Sequence, residues 1–319
     1  MDTALRYQAD TDIMLRIRGL RKQYGNFTAL NSLDMDVKKG ELYGFVGSNG
    51  AGKTTTMKII SGLLKADGGE VYIDGVSALQ KPADMKRHIG YMPDFFGVYD
   101  NLKVIEYMEF YASIYGFHGK EARQLCLELI DLVNLKDKAN VYVDSLSRGM
   151  KQRLCLARCL VHDPRLLILD EPASGLDPKA RYDMKEILKN LSDMGKTILI
   201  SSHILTELAE MCSAIGVIKH GQMILSDTAS GISARLSASN TLVITVLEKE
   251  EEAVRLLMEL PGTANVSGRD HIIRLGYDGG AEEEARLLRS LVEKDIPVHG
   301  FKREESSLEA LFIELTGAR

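Results

Sequence analysis

A glycine-rich loop carries the strongest chemical signal in this sequence: Gly47, Ser48, Asn49, Gly50, Ala51, Gly52, Lys53, Thr54 and Thr55. It lies between an apolar run and a helical run, and it fits the pattern G-x-x-x-x-G-K-[ST]. Glycines let backbone N–H groups approach phosphate oxygens closely, and a helix N-terminus attracts negative charge. Lys53 would reach the β- and γ-phosphates, and the Thr54 hydroxyl would ligate Mg²⁺. The loop therefore predicts a nucleoside triphosphate site.

Two acidic residues, Asp170 and Glu171, end a run that starts at Arg165 and is apolar over residues 166–169. Such a run is typical of a central strand covered on both faces, and open α/β sheets bind ligands at the carboxyl ends of their strands. Asp170 is therefore expected beside the glycine-rich loop, holding Mg²⁺ directly or through water. Glu171 is the candidate to orient or activate a water molecule for attack on the γ-phosphate.

Two further side chains have a suitable position or type. His203 follows residues 196–202, which are predicted to form another buried strand of the same sheet, and this position favours a functional role. Tyr24 lies in a polar turn. Its ring is either an ordinary turn tyrosine or a surface that stacks on adenine, and the residues alone leave both alternatives open.

The composition excludes several classes of protein. The chain has 319 residues, a length that suits two domains, and 45% apolar and 27% charged residues are typical of a globular protein. A net charge of −5 argues against a nucleic-acid partner. No apolar run approaches the roughly 18 residues of a membrane span, and the four cysteines form no disulfide framework. The polar N-terminus lacks the apolar core of a signal peptide, so a cytoplasmic protein is expected.

Hydrophobic periodicity predicts the arrangement of elements. Residues 13–18 alternate like an edge strand, and together with strands near residues 32–37, 41–46 and 69–75 they predict a mixed sheet wrapped by antiparallel strands. Helical runs at 102–115 and 120–135 and from Ser147 predict a helical insertion into an α/β domain. From about residue 238 the order β-α-β-β-α-β, with a hairpin around Gly268 and a closing helix at 307–315, predicts a small ferredoxin-like α+β domain.

The motifs together resemble the ATP-binding-cassette (ABC) family over about residues 13–230. The glycine-rich loop is similar to the Walker A loop of the family, residues 166–171 to its Walker B strand, residues 174–177 to its D-loop, and residues 146–153 to its signature motif. His203 matches the switch histidine, and Tyr24 lies where the family keeps an adenine-stacking aromatic residue. The segment 306–316 resembles the tail of ATPase subunits of bacterial ABC-2-type exporters.

This resemblance implies an α/β fold of the P-loop NTPase type. An ABC cassette at residues 13–230 would have a RecA-like core, an antiparallel β subdomain and a helical subdomain at about 98–162. A polar tail at residues 1–12 would precede it, and an accessory or regulatory domain at 238–319 would follow. Lys53, Glu171 and His203 would be catalytic.

The family also implies a head-to-tail dimer of ATPase subunits that binds ATP and Mg²⁺. Ser147 and Gly149 would bind the ATP of the partner subunit, and Asp177 would communicate across the interface. A separate transmembrane permease is the further implied partner, which would place the chain at the cytoplasmic face of the cell membrane. The sequence leaves open whether the dimer is a homodimer or a heterodimer.

The sequence departs from the family pattern at three positions of the motifs. Arg148 and Met150 replace two residues of the usual Leu-Ser-Gly-Gly-Gln signature, but Ser147 and Gly149 remain, so phosphate binding is expected to survive. Asp94 lies where the family usually has glutamine. Its carboxylate is a candidate ligand of Mg²⁺ or of the waters around the ion, and the linkage to the helical subdomain is expected to differ.

Three functions compete at this point. The first is the ATP-hydrolysing subunit of a transporter, in the direction of export. The second is a soluble ABC ATPase that acts on a ribosome or another complex, but the chain has a single cassette without long coiled arms. The third is a module in which ATP is only a switch, against which Glu171 and His203 both argue. The first is the hypothesis adopted, with cargo specificity expected in the membrane subunit.

Overall fold

The computed structural model describes residues 12–80, 82–95, 97, 101–232, 241–277 and 279–304. Two compact units share these residues: one ends at Ala229 and the other begins at Ser230. The predicted polar tail, apart from its last residue, and the predicted closing helix lie outside the described residues. Within the described ranges, no helix combines the length and apolar character that crossing a bilayer requires.

The first unit contains two sheets and the helices around them. In chain order its elements are β1 (Ile13–Tyr24), β2 (Phe27–Lys38), β3 (Leu42–Val46), α1 (Lys53–Ile60), β4 (Gly68–Ile73), β5 (Val76–Ser77), α2 (Pro82–Met85), β6 (Ile89–Met92), α3 (Val104–Ile114), α4 (Gly119–Leu132), α5 (Arg148–Leu160), β7 (Leu166–Leu169), α6 (Pro178–Asp193), β8 (Thr197–Ser202), α7 (Leu205–Ala209), β9 (Ala214–Lys219) and β10 (Gln222–Thr228).

The smaller sheet of the first unit is antiparallel, with the strand order β2-β1-β4-β5. The prediction that residues 13–18 form an edge strand is wrong, because β1 pairs with β2 on one side and with β4 on the other. Alternation of apolar and polar residues reports that one face of a strand is buried. It carries no information about how many neighbours the strand has.

The larger sheet has the order β10-β9-β3-β8-β7-β6, and only β10 is antiparallel to its neighbour. Every residue of β3, β7 and β8 is buried, as expected for parallel strands covered on both faces. The predicted mixed sheet is thus two separate sheets, which contribute side chains to one shared hydrophobic core. Because β3, β8 and β7 are adjacent and parallel, the segments that follow them meet at one edge.

The predicted helical insertion is present between β6 and β7 as α3, α4 and α5. Buried apolar side chains such as Tyr107, Met108 and Ile130 face the interior of this region. Of the cysteines, Cys155 and Cys159 lie one turn apart in α5 as buried free thiols. The described residues contain no group of three or more His, Cys, Asp or Glu side chains that could hold a metal ion.

The second unit has the predicted order of strands and helices. Its elements are β11 (Thr241–Val246), α8 (Glu250–Glu259), β12 (Thr263–Arg269), β13 (Ile272–Tyr277), α9 (Ala281–Glu293) and β14 (Val298–Glu304). The four strands form an antiparallel sheet in the order β12-β13-β11-β14, and the unit has a hydrophobic core of its own.

The predicted position of the hairpin in this unit is wrong. Gly268 lies inside β12, where it pairs with Ile273. The turn is formed instead by Asp270 and His271, whose φ angles are +53° and +63°. Asp and His are among the non-glycine residues enriched in this left-handed conformation, and two consecutive residues with positive φ suit the twist of a tight hairpin.

Candidate nucleotide site

The glycine-rich loop connects the end of β3 to the start of α1. Gly50 and Gly52 have φ angles of +81° and +115°, a conformation that favours glycine. A Cβ at Gly52 would lie 2.8 Å from the carbonyl oxygen of Ala29, and one at Gly47 would lie 2.6 Å from that of Ile218. The loop therefore needs glycine both for its backbone path and for its close packing against the sheet.

Lys53 is a nearly buried cation at the first position of α1. Its Nζ donates hydrogen bonds to the carbonyl oxygens of Gly47 (2.6 Å) and Ser48 (3.4 Å). The same atom lies 3.6 Å from Oε1 of Glu171. Burial lowers the pKa of Lys53, and the nearby carboxylates of Glu171 and Asp170 oppose that shift. The ammonium group is thus held by the loop and by the acidic end of β7.

Asp170 is fully buried directly after β7. Its Oδ1 accepts a hydrogen bond from the Ser201 hydroxyl at 2.7 Å, whereas Oδ2 has no partner among the described residues. A buried carboxylate oxygen without a partner is costly, so such an atom calls for an explanation. A divalent cation or a water bound to one would provide it, and the donor type suits Mg²⁺.

Glu171 lies against both Lys53 and His203. Its Oε2 is 2.9 Å from Nδ1 of His203, which is hydrogen-bond distance, while Oε1 faces the ammonium group of Lys53. The Glu171 side chain is 13% exposed and that of His203 is 47% exposed. The backbone of Glu171 has a φ of +51°, a costly conformation for a glutamate, and its N–H donates to the Ser201 hydroxyl. Strain of this kind concentrates at functional sites.

Asp94 lies two residues beyond β6 and adds a third carboxylate to this region. Desolvation raises its pKa, the negative charges of Asp170 and Glu171 raise it further, and the positive charge of Arg148 opposes the shift. The direction of this shift shows that Asp94 feels the negative charge of both acids that follow β7.

Two aromatic side chains stand at the open side of the loop. Tyr24 is the last residue of β1, and Phe27 is the first residue of β2, paired with it across the turn. Both are exposed, and the Lys22 ammonium lies 5.6 Å from the centre of the Tyr24 ring. Exposed aromatic faces beside a phosphate-binding loop suit the stacking of a base.

These elements enclose a cavity of about 330 Å³. Most of the predicted site residues meet there. The residues that line it are Tyr24, Phe27, Ala29, Ser48, Asn49, Gly50, Gly52, Lys53, Thr54, Thr55, Asp94, Glu171, Ser174 and His203.

Six predicted residues do not line this cavity. Gly47, Ala51 and Asp170 are buried next to residues that do, whereas Ser147, Gly149 and Asp177 belong to the starts of α5 and α6. Ser147 caps α5, accepting a hydrogen bond from the Met150 N–H, and Asp177 caps α6, accepting one from the Ala180 N–H. Gly149 is buried, and a Cβ there would lie 2.8 Å from the Cβ of Ala180. The chain's own cavity therefore does not use these three residues at the helix starts.

Sequence reasoning missed several residues of the site, among them Phe27 and Ser201. Phe27 joins the site only through strand pairing with Tyr24, which no local pattern reveals. Ser201 ends a buried strand next to His203, and a hydroxyl at a strand end beside predicted catalytic groups was the available signal. Its side chain connects Asp170 to the backbone of Glu171.

The parallel sheet, the phosphate loop and the acidic strand end define the class of P-loop nucleoside triphosphatases. A family profile described as "ABC transporter" matches residues 30–174. The linearmycin resistance ATP-binding protein LnrL of Bacillus subtilis is 32% identical over 95% of this chain and 98% of its own. The Nod factor export ATP-binding protein I of Cupriavidus pinatubonensis is 37% identical over 95% and 91%. The chain therefore belongs to the ABC transporter family.

A solved structure supports the same assignment. The dimeric cassette MJ0796 in a post-hydrolysis state with ADP and phosphate is 27% identical, covers 68% of this chain and 99% of its own, and has a TM-score of 0.62. The fold of the first unit is that of an ABC ATPase cassette. The chain is an ATP-binding, ATP-hydrolysing subunit of an ABC transporter. The relatives give no support to the ribosomal alternative.

Proposed function

We propose that the cavity binds ATP for hydrolysis by Glu171, with His203 holding that carboxylate in place. The observation that carries the proposal is the contact of Glu171 with His203 at 2.9 Å and with Lys53 at 3.6 Å. In this arrangement Glu171 acts as general base toward a water molecule, and Lys53 together with the loop N–H groups from residues 47–55 binds the phosphates. Transition-state charge on the γ-phosphate then develops beside a fixed cation.

Mg²⁺ fits the residues at the end of β7. Oδ2 of Asp170, which has no partner among the described residues, and the hydroxyl of the exposed Thr54 offer oxygen donors. Thr54 and Asp94 both line the ATP cavity. Mg²⁺ is commonly held by one or two protein groups together with phosphates and waters. When bound, the ion neutralises charge that develops on the phosphate oxygens. Tyr24 and Phe27 would stack on the adenine at the other end of the cavity.

We propose that two cassettes associate head to tail. Ser147 and Gly149 lie at the N-terminus of α5 yet do not line the chain's own cavity. Backbone N–H groups at a helix N-terminus suit a phosphate. They are therefore assigned to the ATP of the partner subunit, with Asp177 beside the same interface. The dimeric MJ0796 cassette provides the precedent for pairing.

The chain would couple this cycle to a separate transmembrane permease, at the cytoplasmic face of the membrane and in the direction of export. Relatives named for Nod factor export and linearmycin resistance support that direction. Residues 13–230 are proposed as the ATPase domain, with residues 98–162 as its helical subdomain. Residues 238–319 are proposed as a ferredoxin-like accessory domain, supported by the sheet order β12-β13-β11-β14.

The test is Glu171→Gln, compared with wild type in ATPase assays and in pull-downs from detergent-solubilised membranes. Loss of a positioned general base predicts a fall in turnover of about 10²–10⁴-fold, with ATP still bound. With ATP and Mg²⁺ present, tagged E171Q protein is expected to recover a polytopic membrane protein in fixed ratio. Near-normal turnover of E171Q would remove Glu171 as the base, and recovery of ribosomes instead of a membrane protein would refute the transporter coupling.

A further inference from the structure

Polar contacts hold the loop Ser174–Asp177 from two directions. The carbonyl oxygen of Ser174 accepts a hydrogen bond from Nε2 of Gln152 in α5 at 3.3 Å. The carbonyl oxygen of Leu176 accepts one from Nη2 of Arg181 in α6, also at 3.3 Å. The loop is thereby connected to the helix that Ser147 caps and to the first turn of the helix that follows the loop.

Arg181 extends this connection to the segment that carries His203. Its Nη1 lies 2.8 Å from Oε1 of Glu207 in α7, and Oε2 of Glu207 lies 3.4 Å from the Ser202 hydroxyl. The Ser202 hydroxyl also accepts a hydrogen bond from the backbone N–H of Ile204. Polar contacts therefore run from the carbonyl of Leu176 to residues on both sides of His203.

This connection is not a typical surface ion pair. The Arg181 side chain is 43% exposed but that of Glu207 is only 16% exposed, so solvent screens their contact less than it screens a pair of two exposed side chains. The planar guanidinium serves a carbonyl and a carboxylate through two different nitrogen atoms, which a lysine ammonium does not reproduce in the same geometry. Charge-assisted contacts of this type are stronger than neutral hydrogen bonds.

A second cavity makes these polar contacts important for the position of His203. It has a volume of about 250 Å³ and lies behind Glu171 and His203, lined also by Arg181 and Glu207. Side chains that border a cavity lack close-packed neighbours on that side. The polar contacts of Arg181 and Glu207 at this cavity therefore contribute more to the position of His203 against Glu171.

We propose that Arg181 and Glu207 are positioning residues for ATP hydrolysis. They join the loop Ser174–Asp177 to the segment that carries His203 and so hold its ring at Glu171. This inference rests on the proposed roles of Glu171 and His203. It adds two residues outside the motifs discussed above, and it makes the geometry of the D-loop a determinant of turnover at the chain's own ATP.

The test measures kcat and KM for ATP with Glu207→Gln and Arg181→Lys in the full-length protein. Both variants are expected to lower kcat by about 10-fold, because small misplacements of catalytic groups are costly. KM and the melting temperature should stay near wild type, since neither side chain lines the ATP cavity. The double variant should be no worse than either single variant if the pair acts as a unit.

The chain offers a matched control in Lys185 and Glu210. Their ion pair of 2.9 Å joins α6 to the residue directly after α7, and no described hydrogen bond or ion pair connects it to the Ser174–Asp177 loop. Glu210→Gln removes a charge of the same kind between α6 and the end of α7 and should leave kcat unchanged. Equal losses of kcat in E210Q and E207Q, or parallel losses of kcat and melting temperature, would overturn the positioning role.

Two further outcomes separate the inference from the function beneath it. Wild-type kcat in both E207Q and R181K, with E171Q inactive, would overturn the inference and leave the proposed function intact. Normal turnover of E171Q would overturn both, because the geometry that Arg181 and Glu207 are proposed to hold would then have no role in hydrolysis.

Discussion

At the residue scale, most of the contacts proposed for catalysis meet at Glu171. A positive φ, a backbone bond to Ser201 and two side-chain contacts hold it at one place. A strained conformation of this kind costs about 1–3 kcal/mol and persists only where the surroundings determine it. One oxygen of the neighbouring Asp170 has no hydrogen-bond partner in the part of the chain that the structure describes. Two adjacent carboxylates are thus proposed to take different roles, because their environments differ.

The Tyr24 ring is expected to contribute to ATP affinity by stacking. Tyr24→Ala should weaken binding of a fluorescent ATP analogue by about 1–3 kcal/mol, the usual value of base–aromatic stacking. Tyr24→Phe keeps the ring and should bind normally. The control is Tyr182→Ala, because Tyr182 is also exposed but lies outside the cavity. Normal affinity of Y24A would show that this tyrosine is only a turn residue.

Asp94 tests how strictly the site requires a carboxylate. Asp94→Gln should retain ATP binding, since Asp170 and Thr54 remain as oxygen donors near the ion. Isothermal titration with ATP and Mg²⁺ compares the two proteins directly. Asp94→Asn, which keeps the length of the side chain, separates the loss of charge from the change in reach. Collapse of affinity in both variants would make Asp94 an essential metal ligand.

At the scale of elements, the N-terminus of α5 is fitted closely against α6. Gly149 leaves room for the methyl group of Ala180, and Ser147 and Asp177 cap the two helices. Arg148 lies over Gly175, where a Cβ would come within 2.7 Å of its Cζ atom. The signature helix and the D-loop therefore form one closely packed block, which gives Gly149 a structural role in addition to any phosphate contact.

Gly149→Ala is expected to destabilise the protein through overpacking against Ala180. Overpacking costs about 1–3 kcal/mol, and replacing glycine in a helix interior gains at most about 1 kcal/mol, so a net loss is expected at this position in the first turn. The urea midpoint should fall, and Ala180→Gly should remove most of the additional cost in a double-mutant cycle. Gly97→Ala, where a Cβ meets open space, is the control. An unchanged midpoint in G149A would contradict the close fit.

At the scale of the whole molecule, each of the two units has its own hydrophobic core. We expect two thermal transitions, because separate cores unfold as separate cooperative units. Leu257→Ala, in the core of the second unit, should cost about 2–5 kcal/mol and shift only one transition. Leu188→Ala, a fully buried residue of α6, should shift the other. Scanning calorimetry distinguishes this from a single joint transition.

The sequence by itself identified those site residues that lie close together in the chain and whose side-chain types suit one chemistry. The loop at 47–55, the acids after β7 and His203 all follow apolar runs, and the carboxyl ends of parallel strands meet at one edge of a sheet. The spacing within the loop at 47–55 is recognisable in the sequence because phosphate binding needs backbone and side-chain groups from one short segment.

Only the tertiary structure decided which strands pair and which distant side chains meet. Pairing between separate segments decides the division into two sheets, the inner position of β1 and the turn at Asp270 and His271. Local periodicity does not report such pairing. Phe27 beside Tyr24, and Arg181 at Glu207, lie together only because the sheet and the helices bring them there. Such contacts join residues that are distant in the chain, so they form only when the elements pack together.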